Sequence, residues 1–320
     1  MPLSSVLIAT GSYLPKKILD NAELASMVDT TDAWIRERTG IETRHILAAG
    51  ETTADMATEA AKRALAKAGL RAEDIDGIVV GTSTPDSTMP SVATRVQAAL
   101  GAHGAALDVA AACTGFVYAL SVAHGWMQGG LCKRVLVIGA EAMSKIVNWQ
   151  DRSTCILFGD GAGAAIFEAR ETNAREGILA FTLDADGQFG PLLGTDGGVA
   201  TTQTAGFLAM QGKEVFRHGV EKMAATATEC IAKAGLNLSD IRWVIAHQAN
   251  ARMIHMIAKQ LGLNEENVVI TVNQHGNTSA ASIPLALDAA FTDGRIQRGD
   301  ILALPALGAG LTWGCCVVKV

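Results

Sequence analysis

The sequence repeats itself at a single offset, and that repeat limits the fold more than any other feature. "KAGLRAEDIDGIVVGTS", Lys67 to Ser83, matches "KAGLNLSDIRWVIAHQA", Lys233 to Ala249, at 233 − 67 = 166 residues. Each copy reads as a helix ending at glycine, a short polar link and an apolar buried strand. At the same offset "RVLVIGAE" (Arg134 to Glu141) meets "DILALPAL" (Asp300 to Leu307). Two later stretches, "CILFGDGAGAAIFE" and "LGAGLTWGCCVVKV", are alike in type with their register slipped, and each reads as a glycine hairpin. Two matches at one offset imply a duplicated α/β chain, with halves at residues 1–170 and 171–320.

A duplication also says where to look for a site, because matched strand ends from two related halves can face each other. Gly81-Thr82 ends a strand in the first copy, and His247-Gln248 stand at the equivalent place in the second. A polar pair has replaced a plain strand end. Composition excludes several classes of function. The chain is 49% hydrophobic and 18% charged, enough for a well-filled core, and its net charge of −6 argues against general nucleic-acid binding. No apolar run approaches the ~18 residues of a membrane span. The first residues lack a basic segment and a small-residue cleavage site, so the expected location is the cytoplasm. None of the six cysteines forms C-x-x-C or has zinc spacing beside histidines. No metal site and no disulfide framework are expected, and most of the cysteines read as small buried hydrophobes.

Cys113 is the exception. It lies in "DVAAACTGF", after an apolar run of strand length and before "TGFVYALSVAHGWMQGG", whose Phe116, Val117, Leu120 and Val122 fall near helical spacing. A thiol at a strand-to-helix junction meets unpaired N–H groups and the helix dipole, which favour a thiolate. From position alone, a nucleophile and a buried structural thiol both remain open. His247 ends the apolar "WVIA", where a satisfied rim histidine competes with a site residue. Asn277, in "VNQHGNTSAASIP", repeats the context of Cys113: apolar "VVITV", a polar residue, then small side chains. A helix N-cap is the plainer role for it. His275 reads as part of the turn. "GDGAGA" is followed by a second strand and not by a helix, so it reads as a tight hairpin and not a nucleotide loop. Arg252 and Lys259, seven residues apart, share one face of a helix and form either a solvated surface or a patch for an acidic partner.

Together "DVAAACTGF", "AHQAN", "NQHGNTSAASIP" and "GLTWG", with "TDAWIRERTGIETRH" and "FGDGAGAA", resemble the type III β-ketoacyl-acyl carrier protein synthases over the full length. The resemblance implies the thiolase fold, five layers α-β-α-β-α built from two duplicated halves. It implies that Cys113 takes the acyl group of an acyl-CoA, and that malonyl-acyl carrier protein then condenses with it. His247 and Asn277 would stabilise the enolate formed on decarboxylation, and the N–H groups of Cys113 and Ala309 would form an oxyanion hole. By the same resemblance Trp34, Arg38, Arg152 and Asn250 contact CoA, and Arg217, Arg252 and Lys259 contact the carrier protein. The enzyme would be a homodimer that needs no cofactor, CoA thioester being a substrate. The chain departs from the family pattern at three places. Ala309 replaces the middle glycine of a frequent triplet, where a positive φ would resist alanine. Leu307 replaces a frequent phenylalanine, and Met89 stands where a residue closes the partner's acyl pocket. Alternatives are a related acyltransferase with another acceptor, a degradative thiolase, or a silent acyl-CoA or carrier-protein binder.

Overall fold

The computed structural model describes residues 2–320 and has two sheets of matching strand order. The first takes β1 (Leu3–Tyr13), β2 (Gly77–Gly81), β3 (Ala105–Val109), β4 (Arg134–Ala142) and β5 (Asp160–Glu171) in the order β1-β5-β4-β2-β3. The second takes β6 (Gly177–Ala185), β7 (Trp243–Val244), β8 (Ile301–Gly308) and β9 (Thr312–Lys319) in the order β7-β8-β9-β6. β2 and β7, the strands of the sequence repeat, each run parallel to the next matched strand, β4 and β8. β5 and β9 return antiparallel in both.

Local chemistry explains why the repeat folds alike. α2 (Thr53–Ala68) starts at Thr52, whose hydroxyl accepts from the Asp55 N–H while the Asp55 carboxylate accepts from the Thr52 N–H. It stops at Gly69, and the second long helix, α5 (Gly212–Lys233), stops just before Gly235; these glycines have φ of 65° and 64°. A left-handed residue ends the helix at little cost only if it lacks a Cβ. A single 3₁₀ turn follows each, at Ala72–Asp74 and Leu238–Asp240. There the Asp74 and Asp240 carboxylates accept the N–H groups of Arg71 and Asn237, both at 2.8 Å.

Helices α4 (Gly115–Gln128) and α7 (Ser282–Thr292) lie between the sheets. α2 and α3 (Val92–Leu100) cover the outer face of the first sheet, and α5 packs on β6, β8 and β9 of the second. The layers are therefore α-β-α-β-α. One apolar cluster joins Phe116 and Leu120 of α4, Ile283 and Leu287 of α7, Val137 of β4 and Leu304 of β8. Close packing of this kind leaves little freedom for the two halves to slide.

Two readings of the sequence are corrected here. "GDGAGA" is not a tight hairpin: residues 160–171 are one continuous strand, β5, reached from β4 through residues 143–159. Its glycines answer a close approach, since a Cβ on Gly163 would lie 2.6 Å from the backbone of Pro284 and Leu285 in α7. The turn assigned to the C-terminal copy is present, with three residues linking β8 and β9. "VVITV" is not a full strand. Val268 makes one parallel bridge to Val244, and the chain then turns into a short helix at Val272–His275. Among the described residues no helix is long and apolar enough to cross a membrane.

Candidate active site

The end of β3 leads into a 3₁₀ turn at Ala112–Thr114 and then into α4, which puts Cys113 at the junction read from the sequence. Three glycines fix it there. A Cβ on Gly81 would lie 2.5 Å from the Gly115 carbonyl carbon, so the end of β2 sits flush on the start of α4. A Cβ on Gly308 would lie 2.7 Å from the Cys113 N, so the end of β8 backs onto the same amide. On Gly115 it would lie 3.2 Å from Ala280. Ala112 takes φ +47°, an unfavourable left-handed conformation for a residue with a Cβ, and such strain concentrates at functional sites.

The thiol is buried, and this reverses one expectation. Burial pushes the Cys113 thiol up to about 12, aided by the nearby Glu141 carboxylate. Desolvation outweighs the helix terminus, and the resting sulfur carries its proton.

In the second half, the N–H groups of Ile245 and His247 extend the β7 ladder by bonding the carbonyls of Ala303 and Pro305, each at 2.9 Å. His247 therefore ends a strand beside β8. Its Nδ1 lies 2.7 Å from the Ser282 Oγ. The Gln248 N–H donates to that Oγ at 3.3 Å, so the hydroxyl proton of Ser282 is free to point at Nδ1. The ring N–H then resides on Nε2, the nitrogen left for the cavity. Burial pulls His247 down to about 4, so the imidazole is neutral at neutral pH.

The amide of Asn277 is oriented by the same reasoning. The Ser279 N–H donates to its Oδ1 at 2.9 Å, which leaves the Nδ2 donors for the cavity. Its backbone is clamped to the segment before β5: the Asn277 N–H donates to Leu157 at 2.8 Å, and the Gly159 N–H donates to the Asn277 carbonyl at 3.1 Å. Thr278, and not Asn277, holds the N-cap position of the turn Ser279–Ala281, although the Asn277 carboxamide accepts the first amide of that turn. Gln248, the other half of the polar pair, is structural. It donates to Ala246 and Val269 and accepts from the N–H groups of Thr271 and Val272. His275 faces His45, at 6.3 Å between rings, and is not part of the cavity wall.

Cys113, His247 and Asn277 line one cavity of about 1350 Å³, larger than the ~300–1,000 Å³ of an ordinary small-ligand pocket. Leu307 and Ala309 also line it. The expected conflict at Ala309 does not arise. Its φ is not positive; Gly310 takes the unusual conformation instead, at φ 137°.

At the mouth, Trp34 stands on α1 (Asp32–Thr39), which packs against α6 (Ala251–Gln260) through Ile35, Ile254 and Ala258. The guanidinium groups of Arg38 and Arg152 lie 4.8 Å and 4.9 Å from the Trp34 ring centre. Asn250 caps α6 by accepting the Met253 N–H at 2.9 Å and also lines the cavity. Arg252 and Lys259 are both exposed on α6, with the exposed Met256 between them. Arg217, on α5, is paired with Glu214 at 2.8 Å and with Glu221 at 3.9 Å. The first two form a free basic stripe, whereas Arg217 is largely neutralised.

Three residues around the site went unread in the sequence: Ser282, Ser279 and Glu141. In the sequence the two serines stand out only as small residues after Asn277. Glu141 ends the apolar "RVLVIGAE", and a carboxylate in such a strand is itself a signal.

A thiol at a helix start, met in one deep cavity by a neutral imidazole N–H and a carboxamide N–H, on a duplicated five-layer frame, defines a condensing enzyme of the thiolase fold. Profiles of 3-oxoacyl-[acyl-carrier-protein (ACP)] synthase III and of its C-terminal part match residues 107–187 and 231–320. The β-ketoacyl-[acyl-carrier-protein] synthase III of Rhodospirillum centenum is 53% identical over 322 residues, covering 100% of both chains. The crystal structure of 3-oxoacyl-[acyl-carrier-protein] synthase III from Aquifex aeolicus superposes with a TM-score of 0.93 at 43% identity, over 99% of this chain and 100% of that one. The priming β-ketosynthase of the R1128 polyketide pathway also superposes at 0.93, with 34% identity over 98% and 96% of the chains. The chain belongs to the β-ketoacyl-acyl carrier protein synthase III family, a family of acyltransferases.

Proposed function

We propose that this enzyme starts fatty acid synthesis in the cytoplasm by condensing a short acyl-CoA, acetyl-CoA foremost, with malonyl-acyl carrier protein. The observation that carries the reading is the convergence of Cys113, His247 and Asn277 on one cavity with their donors oriented. The Cys113 sulfur attacks the thioester carbon, its proton passes to the departing CoA thiol, and an acyl-enzyme forms. The Cys113 and Ala309 amides, neither of which has a backbone acceptor among the described residues, are assigned to the oxyanion of that step. Malonyl-acyl carrier protein then loses CO₂. The enolate oxygen is held by His247 Nε2–H and Asn277 Nδ2–H, and the enolate carbon attacks the acyl group. The Cys113 sulfur leaves and takes up one proton. Every step uses the chain's own groups and calls for no cofactor.

Trp34 and Arg152 are assigned to the CoA base, Arg38 to its phosphates and Asn250 to the pantetheine arm. At 4.9 Å from the ring, Arg152 leaves no room for a base between the two, so it must swing aside on binding. A homodimer is supported by β3, an edge strand whose five residues are all partly exposed, and by Met89, 79% exposed on a nearby loop. The test is product formation. Radiolabelled acetyl-CoA with malonyl-acyl carrier protein should yield labelled acetoacetyl-carrier protein, and an acyl-CoA panel should rank acetyl first. A chain that binds both substrates and releases no CO₂ refutes the reading.

The basic stripe is assigned to the acidic carrier protein. Arg252→Glu with Lys259→Glu is expected to raise the KM for malonyl-acyl carrier protein about tenfold, the equivalent of ~1.4 kcal/mol. The KM for acetyl-CoA in the transfer step should hardly change. The effect should fade between about 0.1 M and 1 M salt, as the Debye length falls from about 10 Å to 3 Å. Arg217→Glu should do less, because its charge is already countered. Unchanged carrier-protein kinetics in the double variant at low salt would return the stripe to a solvated surface.

A further inference from the structure

The stretch "TDAWIRERTGIETRH" supplies Trp34 and Arg38 to the mouth of the cavity, but its last residues have no part in the chemistry so far. Arg44 stands there, in a two-stranded ribbon that pairs Lys17–Asp20 with Thr43–Ile46. Its side chain is completely buried. Its hydrogen bonds all end on neutral oxygens. Nη1 donates to the Asn21 Oδ1 at 2.8 Å and to the Leu19 carbonyl at 3.3 Å, and Nη2 donates to the Ile156 carbonyl at 2.7 Å. Nε finds no partner among the described residues. The nearby Asp20 carboxylate is exposed and accepts the Glu23 N–H at 2.7 Å instead. Burial pulls the guanidinium down to about 10, which leaves it charged at neutral pH. A buried cation with one donor unused is a poor device for stability alone, and such a group calls for another reason.

The reason lies in what Arg44 holds. Ile156 opens the short segment that grips Asn277. In that segment the Leu157 carbonyl accepts the Asn277 N–H at 2.8 Å, the Gly159 N–H donates to the Asn277 carbonyl at 3.1 Å, and Phe158 between them pairs with Asn277 as a parallel bridge. The ribbon also holds the residues just before Asn277. The Glu42 N–H donates to the Asn273 carbonyl and the Thr43 hydroxyl to the Gln274 carbonyl, both at 2.8 Å. A Cβ on Gly159 would lie 2.9 Å from the Arg44 Cβ, and one on Gly276 would lie 3.0 Å from it, so both sides of the clamp press on the stem of Arg44. The far end of the guanidinium meets the base of α1. Asn21, whose Oδ1 it holds, donates from Nδ2 to Asp32 at 2.9 Å and to the Ile41 carbonyl at 2.8 Å. Arg44 thus spans from the helix that carries Trp34 to the segment that carries the carboxamide donor.

We propose that Arg44 is a positioning residue for the malonyl half-reaction: its guanidinium fixes the segment 156–159 on which Asn277 is registered, and so aims the Asn277 Nδ2–H at the enolate oxygen. The reading rests on Asn277 being a donor in that step. Arg44 does not line the cavity, so it acts on the substrate only through Asn277. A charged donor makes a shorter and stronger bond to a carbonyl than a neutral one, and a planar fork can hold two walls at a fixed spacing. Without it the Ile156 carbonyl loses its donor. The segment and Asn277, bonded to each other, are then free to shift together. Enolate stabilisation is sensitive to such a shift, because a preorganised donor acts only where the charge develops.

The test compares two half-reactions of the full-length enzyme: CO₂ released from radiolabelled malonyl-acyl carrier protein, and acetyl label retained on Cys113 from acetyl-CoA. Arg44→Gln removes the charge and the fork. It is expected to slow decarboxylation about 30-fold, within the ~10²-fold that a misplacement of about 1 Å costs, with little change in the KM for malonyl-acyl carrier protein. Acetyl transfer should fall by less than about threefold, because its oxyanion is assigned to backbone amides outside this clamp. In an Asn277→Ala background the same substitution should slow decarboxylation by less than about threefold, since the donor it aims is already gone. A merely structural role gives neither contrast: loss of folded enzyme lowers both half-reactions alike and multiplies with Asn277→Ala. Unchanged decarboxylation, equal loss in both half-reactions, or a full further loss on top of Asn277→Ala overturns the proposal. If Arg44→Gln does not fold, Arg44→Lys carries the same test. It keeps the charge and one donor but not the fork, so a loss of about fivefold in decarboxylation alone is expected, and no loss there overturns the proposal equally. Asn277→Ala by itself judges the reading beneath. If it spares decarboxylation, Asn277 is not the donor; if it is damaging and the Arg44 variants are not, only the role of Arg44 falls.

Discussion

Cys113→Ser should fold as the parent does and retain no acyl label after denaturation. Sulfur to oxygen is a small change in a cavity wall, and none of the hydrogen bonds that orient His247 and Asn277 passes through Cys113. What is lost is the leaving-group and nucleophile chemistry of sulfur. Deleting a covalent nucleophile costs on the order of 10⁶ in rate where it has been dissected, so overall turnover should fall below detection. The label has nowhere else to go. Cys132, Cys155, Cys230, Cys315 and Cys316 are all buried, and none of them lines the cavity. The Cys230 and Cys155 thiols face the core, the former donating to the Cys315 carbonyl at 3.3 Å. Replacing any of the five by alanine should leave labelling intact, at a stability cost of about 1–3 kcal/mol for the lost packing. Acyl label recovered from Cys113→Ser at Cys155 or another cysteine would move the nucleophile elsewhere.

What could be read from the sequence was whatever short-range chemistry fixes. The offset of 166 residues is written in helix ends and 3₁₀ turns that need particular residues, Gly69 and Gly235, Asp74 and Asp240, so the copies could be aligned by eye. Cys113 and His247 were legible because each interrupts an apolar pattern at a strand end, and Asn277 because it follows the apolar "VVITV" and precedes small residues. The failures share a cause: they depend on contacts between residues far apart in the chain. The glycines of "GDGAGA" look like turn residues until α7 is packed against them. "VVITV" has the composition of a strand, but after Val268 the N–H groups of Thr271 and Val272 are taken by the Gln248 side chain and the ladder stops. The pull of a helix terminus on the Cys113 thiol was visible from the local pattern. The burial that overrides it comes from the packing of the two halves, with Gly308 of β8 backed onto the Cys113 amide, and the nearby Glu141 charge comes from β4.

Removing the two donors should separate the half-reactions. His247→Ala and Asn277→Ala are each expected to cut decarboxylation and condensation by about 10²–10³, the usual loss for one preorganised donor to a developing oxyanion. Transfer of acetyl from CoA to Cys113 should change by less than about tenfold, because that oxyanion is assigned to backbone amides that neither substitution touches. Two subtler variants test the orientation. Asn277→Asp keeps the Oδ1 that accepts the Ser279 N–H but has no N–H to offer the cavity, so it should be as damaging as alanine in the malonyl step. Ser282→Ala leaves the imidazole in place and removes the hydroxyl that fixes its proton on Nε2. The ring can then carry the proton on either nitrogen, and the loss should be smaller than for His247→Ala and confined to the same half-reaction. The expected ordering follows from the neutral state of His247, which burial holds down at about 4. A neutral ring donates from one nitrogen only, so the tautomer matters. If His247→Ala depresses acetyl transfer as strongly as decarboxylation, the imidazole serves to activate the Cys113 thiol, and the assignment of both donors to the enolate is wrong.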